Sequence, residues 1–253
     1  MDMESTGEGG RPSPAEIRRQ TPGEGEDVTV RSAGGREAWL SGDPAFCDWL
    51  LVQPVSAEDG GMAEEETAFL REACPGISVA LAAVQTDWFN ELAPWTAEPV
   101  FPGRPAFGAG APELLREILD GLLPALLGGN HRPRLLLGGY SLAGLFALWA
   151  GCQTDVFEGI AAVSPSVWYP GWTEYAKAHP FRAKAAYLSL GDREAKTRHP
   201  LMRTADTALI SQRETLEAQG IPVLLEWNPG NHFQNAAQRT AKGFAALISG
   251  RKA

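Results

Sequence analysis

Three loops of this chain carry residue types that could work together as a nucleophile, a base and an acid. Ser141 lies in the run 133–152, PRLLLGGYSLAGLFALWAGC, between an apolar strand pattern (Leu135, Leu136, Leu137) and an apolar helix pattern. A tight strand-to-helix turn forces one residue into a strained backbone conformation, so its neighbours must be small. Gly139 meets that need before the serine. After it, Ala143 stands where a second glycine is usual and Gly144 follows, giving G-x-S-x-A-G, the layout of a nucleophile elbow. A serine hydroxyl attacks only when a base removes its proton, and an imidazole can take that proton and return it to a leaving group. His232, in Pro229-Gly230-Asn231-His232 after the last strand pattern, is the base that chain order offers.

A carboxylate is needed to fix the imidazole tautomer and stabilise the imidazolium. Asp192 and Glu194 compete for that role in Gly191-Asp192-Arg193-Glu194. Glu194 is favoured, because a residue further beyond the strand can reach across to the histidine loop, and Asp192 is the alternative. The carboxylate left over is then a surface charge or a turn cap. An oxyanion intermediate also needs N–H donors: Leu142, directly after the serine, supplies one, and the end of an earlier strand supplies the other. Pro54 has no N–H, so Val55 is the choice there, with Gln53 or Ser56 as substitutes. Of the remaining histidines, His131 precedes the elbow strand, and His179 and His199 lie in polar stretches where solvation is expected. None has the short His/Cys/acid spacing of a metal site, so no metal is expected.

The elements that must position these residues alternate along the chain. A strand pair at 28–31 and 38–40 turns at Gly34-Gly35, and 48–55 (DWLLVQPV) is a continuous apolar run, the pattern of a strand buried on both faces. Helix 63–74 carries Glu64, Glu65 and Glu66 in its first turn and stops at Pro75-Gly76. Strand 78–84 follows, then a long loop, 85–111, holding Trp88, Phe89, Trp95, Phe101 and Phe107. Loops of that length in a compact domain are usually functional or disordered, and the aromatics favour function, with Trp88 and Trp95 as substrate-binding residues. Pro112 opens an amphipathic helix with Leu114, Leu115, Ile118, Leu119, Leu122 and Leu123 at helical spacing. Helix 142–150 is apolar nearly all round, strands are expected at 159–163, 185–190 and 223–227, and helices from about 201 to Gly220 and at 236–248. Open parallel sheets bind ligands at the carboxyl ends of their strands, which is where Ser141, the acid loop and His232 fall.

Composition bounds the rest. With 253 residues, 44% hydrophobic and 21% charged, residues 28–253 suit one α/β domain. Residues 1–27 hold almost no large apolar side chain and are expected to form an arm with little fixed structure. A net charge of -9 argues against nucleic acid as a partner. Cys47, Cys74 and Cys152 are an odd number among apolar neighbours, which fits buried thiols in a reducing compartment. No apolar leader and no run of membrane-spanning length is present, so a cytoplasmic location without membrane contact is expected. The oligomeric state is not readable.

GYSLAG, the SPSVWYPGW segment, GDRE and the GNHF turn together resemble the esterase D type branch of the α/β hydrolases, which includes siderophore esterases that cleave enterobactin-like trilactones. The resemblance spans about residues 48–248. It implies a three-layer α/β/α sandwich with a mostly parallel sheet. It also implies Ser141 as nucleophile, His232 as base, the GDRE carboxylate as acid, and hydrolysis of a small-molecule ester through an acyl-enzyme without metal or organic cofactor. The segment after SPS borders the substrate pocket in such proteins, which implies Trp168, Tyr169 and Trp172 as pocket residues beside Trp88 and Trp95. Core or lid packing is the alternative for Trp168, Tyr169 and Trp172. Arg193, Lys196, Arg198 and Arg203, close to the acid loop, could attract an acidic acyl group or form a solvated face. A thioesterase or acyltransferase with the same triad, or a binding protein without turnover, are the competing functions.

Overall fold

The computed structural model describes residues 28–100, 103–129 and 131–250. The expected arm 1–27 and the aromatic Phe101 lie outside the described residues.

The apolar run after Asp48 forms β3 (Trp49–Val55), and every residue of it is buried. It pairs in parallel with β4 (Val79–Gln85) on one side and β5 (Arg134–Tyr140) on the other. Outward from β5 run β6 (Gly159–Val163), β7 (Ala185–Gly191) and β8 (Val223–Asn228), all parallel. On the far side of β4 the hairpin β1 (Thr29–Ala33) and β2 (Arg36–Ser41) adds antiparallel strands, giving the order β1-β2-β4-β3-β5-β6-β7-β8. A continuous apolar run is what a strand between two parallel neighbours and two helix layers requires.

Alternate β3 side chains feed two cores. Leu50 and Val52 face the core formed with α3 (Ala111–Glu117), α5 (Leu142–Gln153), α6 (Trp172–Ala178) and α7 (Ala205–Ala218). Trp49 and Leu51 face α1 (Met62–Ala73) and α8 (Ala236–Ile248). The short helix α2 (Trp88–Glu91) opens the long loop, which is drawn together by a bridge between Ala97 and Phe107. Every residue of α5 from Leu142 to Cys152 is buried, as its all-round apolar sequence requires. The three cysteines are free and buried.

Two expected helices differ in detail. The helix begun by Pro112 passes through a π turn, Ile118–Leu122, before α4 (Leu123–Leu127). The widened turn sits where the β1–β2 hairpin meets it: Gly34, at φ +60°, lies so close that a Cβ there would fall 2.1 Å from the Gly121 carbonyl carbon. Ahead of α7, residues Met202–Thr204 form a 3-10 turn, so the α-helix starts at Ala205. Among the described residues no helix is long and apolar enough to cross a membrane.

Candidate active site

The elbow joins β5 to α5. Ser141 has φ 58° and ψ -118°, a region costly for a residue with a side chain. Two backbone bonds hold it there: its N–H donates to Val163 O at 3.0 Å, and the Ser166 N–H donates to Ser141 O at 3.0 Å. Close packing explains the small residues. A Cβ on Gly139 would lie 2.6 Å from the Ala143 methyl, so glycine is needed at 139 while alanine fits at 143. α5 begins directly after the serine, so its positive N-terminal end points toward the reacting position.

His232 Nε2 lies 3.0 Å from Ser141 Oγ, and its Nδ1 lies 2.7 Å from Glu194 Oε2. The structure thus brings Ser141, His232 and Glu194 into one hydrogen-bonded line, and Asp192 does a different job. Asp192 Oδ1 accepts the Gly230 N–H at 2.8 Å, while the Asp192 N–H donates to Asn228 O at 2.8 Å, stitching the acid loop to the histidine loop.

Sequence reasoning missed the groups that hold Glu194. Its Oε1 accepts from the Gly191 N–H at 2.7 Å, from Ser164 Oγ at 2.7 Å and from Arg239 at 3.2 Å. Gly191 has to be glycine for this, since a Cβ would fall 2.5 Å from Gly230 O and 2.8 Å from Glu194 Oε1. Ser164 is buried with φ 44°, a strained backbone that turns its hydroxyl to the carboxylate. Arg239, on α8, is only 3% exposed and also donates to Pro229 O, Asn231 O and Tyr140 Oη. Tyr140 Oη in turn donates to His232 O at 2.9 Å. Burial alone would push the Glu194 carboxyl up, but hydrogen bonds from His232, Ser164 and Gly191 outweigh it and hold it below its ordinary value. A signal for Arg239 was present: Gly243 and Ala246, at i+4 and i+7 from it, mark a helix face pressed against the sheet.

Ser141 opens into a cavity of about 1040 Å³. Leu142, Gln53, Val55 and Ser56 are all in its wall beside the serine, as are Trp88 and Trp168. Trp95, Tyr169 and Trp172, expected at the pocket, are not in that wall. Trp172 is 1% exposed and its Nε1–H is satisfied by Gln212 Oε1 at 2.8 Å, which makes it a core residue of α6. Tyr169 is buried with its hydroxyl donating to Trp95 O, and Trp95 donates back across the loop to Pro170 O. These residues brace the loop that forms the wall, so the packing reading holds for them.

The basic residues Arg193, Lys196, Arg198 and Arg203 are likewise absent from the cavity wall, whose only Lys or Arg among the described residues is Arg104. Among the other histidines, His131 Nε2 contacts Cys47 O, and exposed His179 is stacked on Tyr175. His199 is partly buried and bonds to Val100 O at 2.8 Å, so it is structural rather than merely solvated. Among the described residues no group of three or more His, Cys, Asp or Glu side chains is placed to hold a metal ion.

No family model and no curated protein matches the sequence. Solved structures do resemble the fold. An IroE-like serine hydrolase from Shewanella oneidensis matches with a TM-score of 0.72 at 16% identity, over 88% of this chain and 80% of that one. The siderophore hydrolase EstA from Aspergillus nidulans gives 0.62 at 18% identity, over 94% and 99%. The enterobactin esterase FES from Shigella flexneri gives 0.60 at 17% identity, over 91% of this chain and 61% of that one. The strand order, the two helix layers and these neighbours agree that the chain has the α/β-hydrolase fold.

Proposed function

We propose that this protein is a serine hydrolase that cleaves carboxylic esters through an acyl-enzyme. The observation that carries the proposal is the line Ser141 Oγ, His232 and Glu194, with contacts of 3.0 and 2.7 Å, opening on a cavity large enough for a small or medium ester. The chemistry follows from the geometry. His232 Nε2 takes the Ser141 proton as Oγ bonds to the ester carbonyl carbon, and the carbonyl electron pair moves onto oxygen. The Leu142 N–H and one donor from the 53–56 segment receive that oxyanion. The pair returns, the carbon–alkoxy bond breaks, and the imidazolium proton goes to the leaving alcohol. Water then repeats the sequence, releasing the acid and restoring Ser141. Throughout, Glu194 keeps the proton on Nδ1 and stabilises the imidazolium.

The proposed substrate is a small or medium acyl ester, with siderophore-type esters among the candidates. Two of the fold neighbours are described as siderophore hydrolases and one as an enterobactin esterase, which motivates including them. A fluorophosphonate probe should label the protein, and Ser141→Ala should abolish labelling while leaving the fold intact by circular dichroism. Undiminished labelling of that variant would sink the proposal.

A further inference from the structure

Phe233 follows His232 directly and is 87% exposed, yet it belongs to the wall of the cavity at Ser141. A lone exposed apolar residue carries no message by itself. Phe46 is nearly as exposed, at 79%, and stands outside that wall. Phe233 differs in its place and in how it is held. Its N–H donates to Asn231 Oδ1 at 2.9 Å, and the Asn231 N–H donates to Gln234 Oε1 at 2.9 Å. Nearby, Tyr140 Oη donates to His232 O at 2.9 Å and Arg239 donates to Asn231 O at 3.2 Å. The phenyl ring packs edge to face with the His232 imidazole, the centroids 5.4 Å apart and the planes at 89°. Its exposure is therefore built into a braced turn.

The reaction decides what passes this ring. The oxyanion is drawn toward the Leu142 N–H and the 53–56 segment. The alkoxy oxygen of the ester must instead come within reach of His232 Nε2, which lies 3.0 Å from Ser141 Oγ, to receive its proton on leaving. The group attached to that oxygen thus departs from the reacting centre beside the histidine loop. The apolar side chain that this loop, 229–235, contributes to the cavity wall is Phe233.

We infer that Phe233 is a specificity residue for the alcohol part of the ester, and that the group it takes is aromatic, carried on a short chain from the alkoxy oxygen. A phenyl group there pairs with the Phe233 ring and removes apolar surface of both from water, whereas a small alkyl group leaves the ring exposed. The preferred substrates are then esters of arylalkyl alcohols rather than of short alkyl alcohols. The inference deepens the esterase reading and rests on it.

The test compares phenethyl butyrate with ethyl butyrate. Both form the same butyryl-enzyme and their alcohols are of similar acidity, so the ratio of kcat/KM values reads how the alcohol part is held up to its departure. The phenethyl ester should be favoured about fivefold or more, the size of one aromatic pair. In Phe233→Ala the ratio should fall to about twofold or less, and in Phe233→Tyr, which keeps a ring, it should stay within about twofold of wild type. Any change in His232 that acts on both esters alike cancels in the ratio. Ethyl phenylacetate against ethyl acetate moves the phenyl group to the acyl part, and that ratio should change less than about twofold in Phe233→Ala. No phenethyl preference, or one that Phe233→Ala leaves intact, overturns the inference, as does an effect of Phe233→Ala confined to the acyl pair. A dimer in sedimentation that Phe233→Ala dissociates overturns it too, because a second copy then covers the ring. If wild type hydrolyses none of these esters, the esterase reading fails, and calorimetry with the uncleaved amide N-phenethylbutyramide decides the subsite. That amide should bind about fivefold tighter than N-ethylbutyramide in wild type and no tighter in Phe233→Ala; equal binding in wild type overturns the subsite.

Discussion

Arg239→Met tests how the acid of the site is held. The guanidinium is 3% exposed and makes four contacts, to Glu194 Oε1 at 3.2 Å, Tyr140 Oη at 3.1 Å, Asn231 O at 3.2 Å and Pro229 O at 2.7 Å. Removing one partner of a buried ion pair costs about 3–5 kcal/mol, because the other charge is left uncompensated. Glu194 keeps three donors, from His232, Ser164 and Gly191, which puts the loss at the low end, about 3 kcal/mol. For a chain of this size each kcal/mol shifts the melting point by about 2–4 °C, so scanning calorimetry at pH 7 should show a fall of about 6–12 °C. Arg239→Lys, which keeps the charge but not the fork, should fall in between. A melting point within about 2 °C of wild type would refute the reasoning.

Glu194→Gln should lower kcat by about 10⁴-fold with p-nitrophenyl butyrate, the scale seen when a triad carboxylate becomes an amide, whereas Asp192→Asn should cost under about tenfold. The same carboxyl sets part of the acid stability. Since Glu194 is held below its ordinary value of 4.5 in the fold, its stabilising contribution is full above that value and is lost as pH falls through the lower folded value. Acid unfolding followed by fluorescence should therefore be shallower in Glu194→Gln than in wild type. Burial pushes the Cys47 thiol up to about 11 and the Cys152 thiol up to about 12, and raises Cys74 as well. At pH 8 Ellman's reagent should react with none of them in the native protein and with all three after denaturation.

The parts of the fold that the sequence makes legible are those where one residue type answers one physical need. The seven buried residues of β3 follow from a run that no half-exposed strand would tolerate. The small residues around Ser141 follow from the closeness of Gly139 and Ala143. The order of serine, acid and histidine loops follows from a parallel sheet read in sequence. Other features depend on directions that letters do not encode. Asp192 and Glu194 share one turn, and only the fold of that turn aims Glu194 Oε2 at His232 and Asp192 at the Gly230 N–H. Trp168 and Trp172 are four residues apart, yet one faces the cavity and the other the core, because the chain enters α6 between them. Around Arg239 the small residues Gly243 and Ala246 mark a packed helix face, but not which loops its guanidinium meets. The π turn at Ile118–Leu122 interrupts a leucine pattern that looks uniform, at the place where a hairpin distant in sequence packs against it.

The uneven placing of the tryptophans gives the molecule an optical address for its cavity. Of eight in the chain, Trp88 and Trp168 stand in the wall, while Trp49, Trp149 and Trp172 are sealed in the cores. The sealed rings emit from an environment that no ligand reaches, and they supply a constant background. The two wall rings meet whatever enters, so a change in emission on adding a substrate or inhibitor that is lost on replacing Trp88 and Trp168 by Phe originates at the cavity, separate from the signal of exposed Trp227, and can be timed without any attached dye.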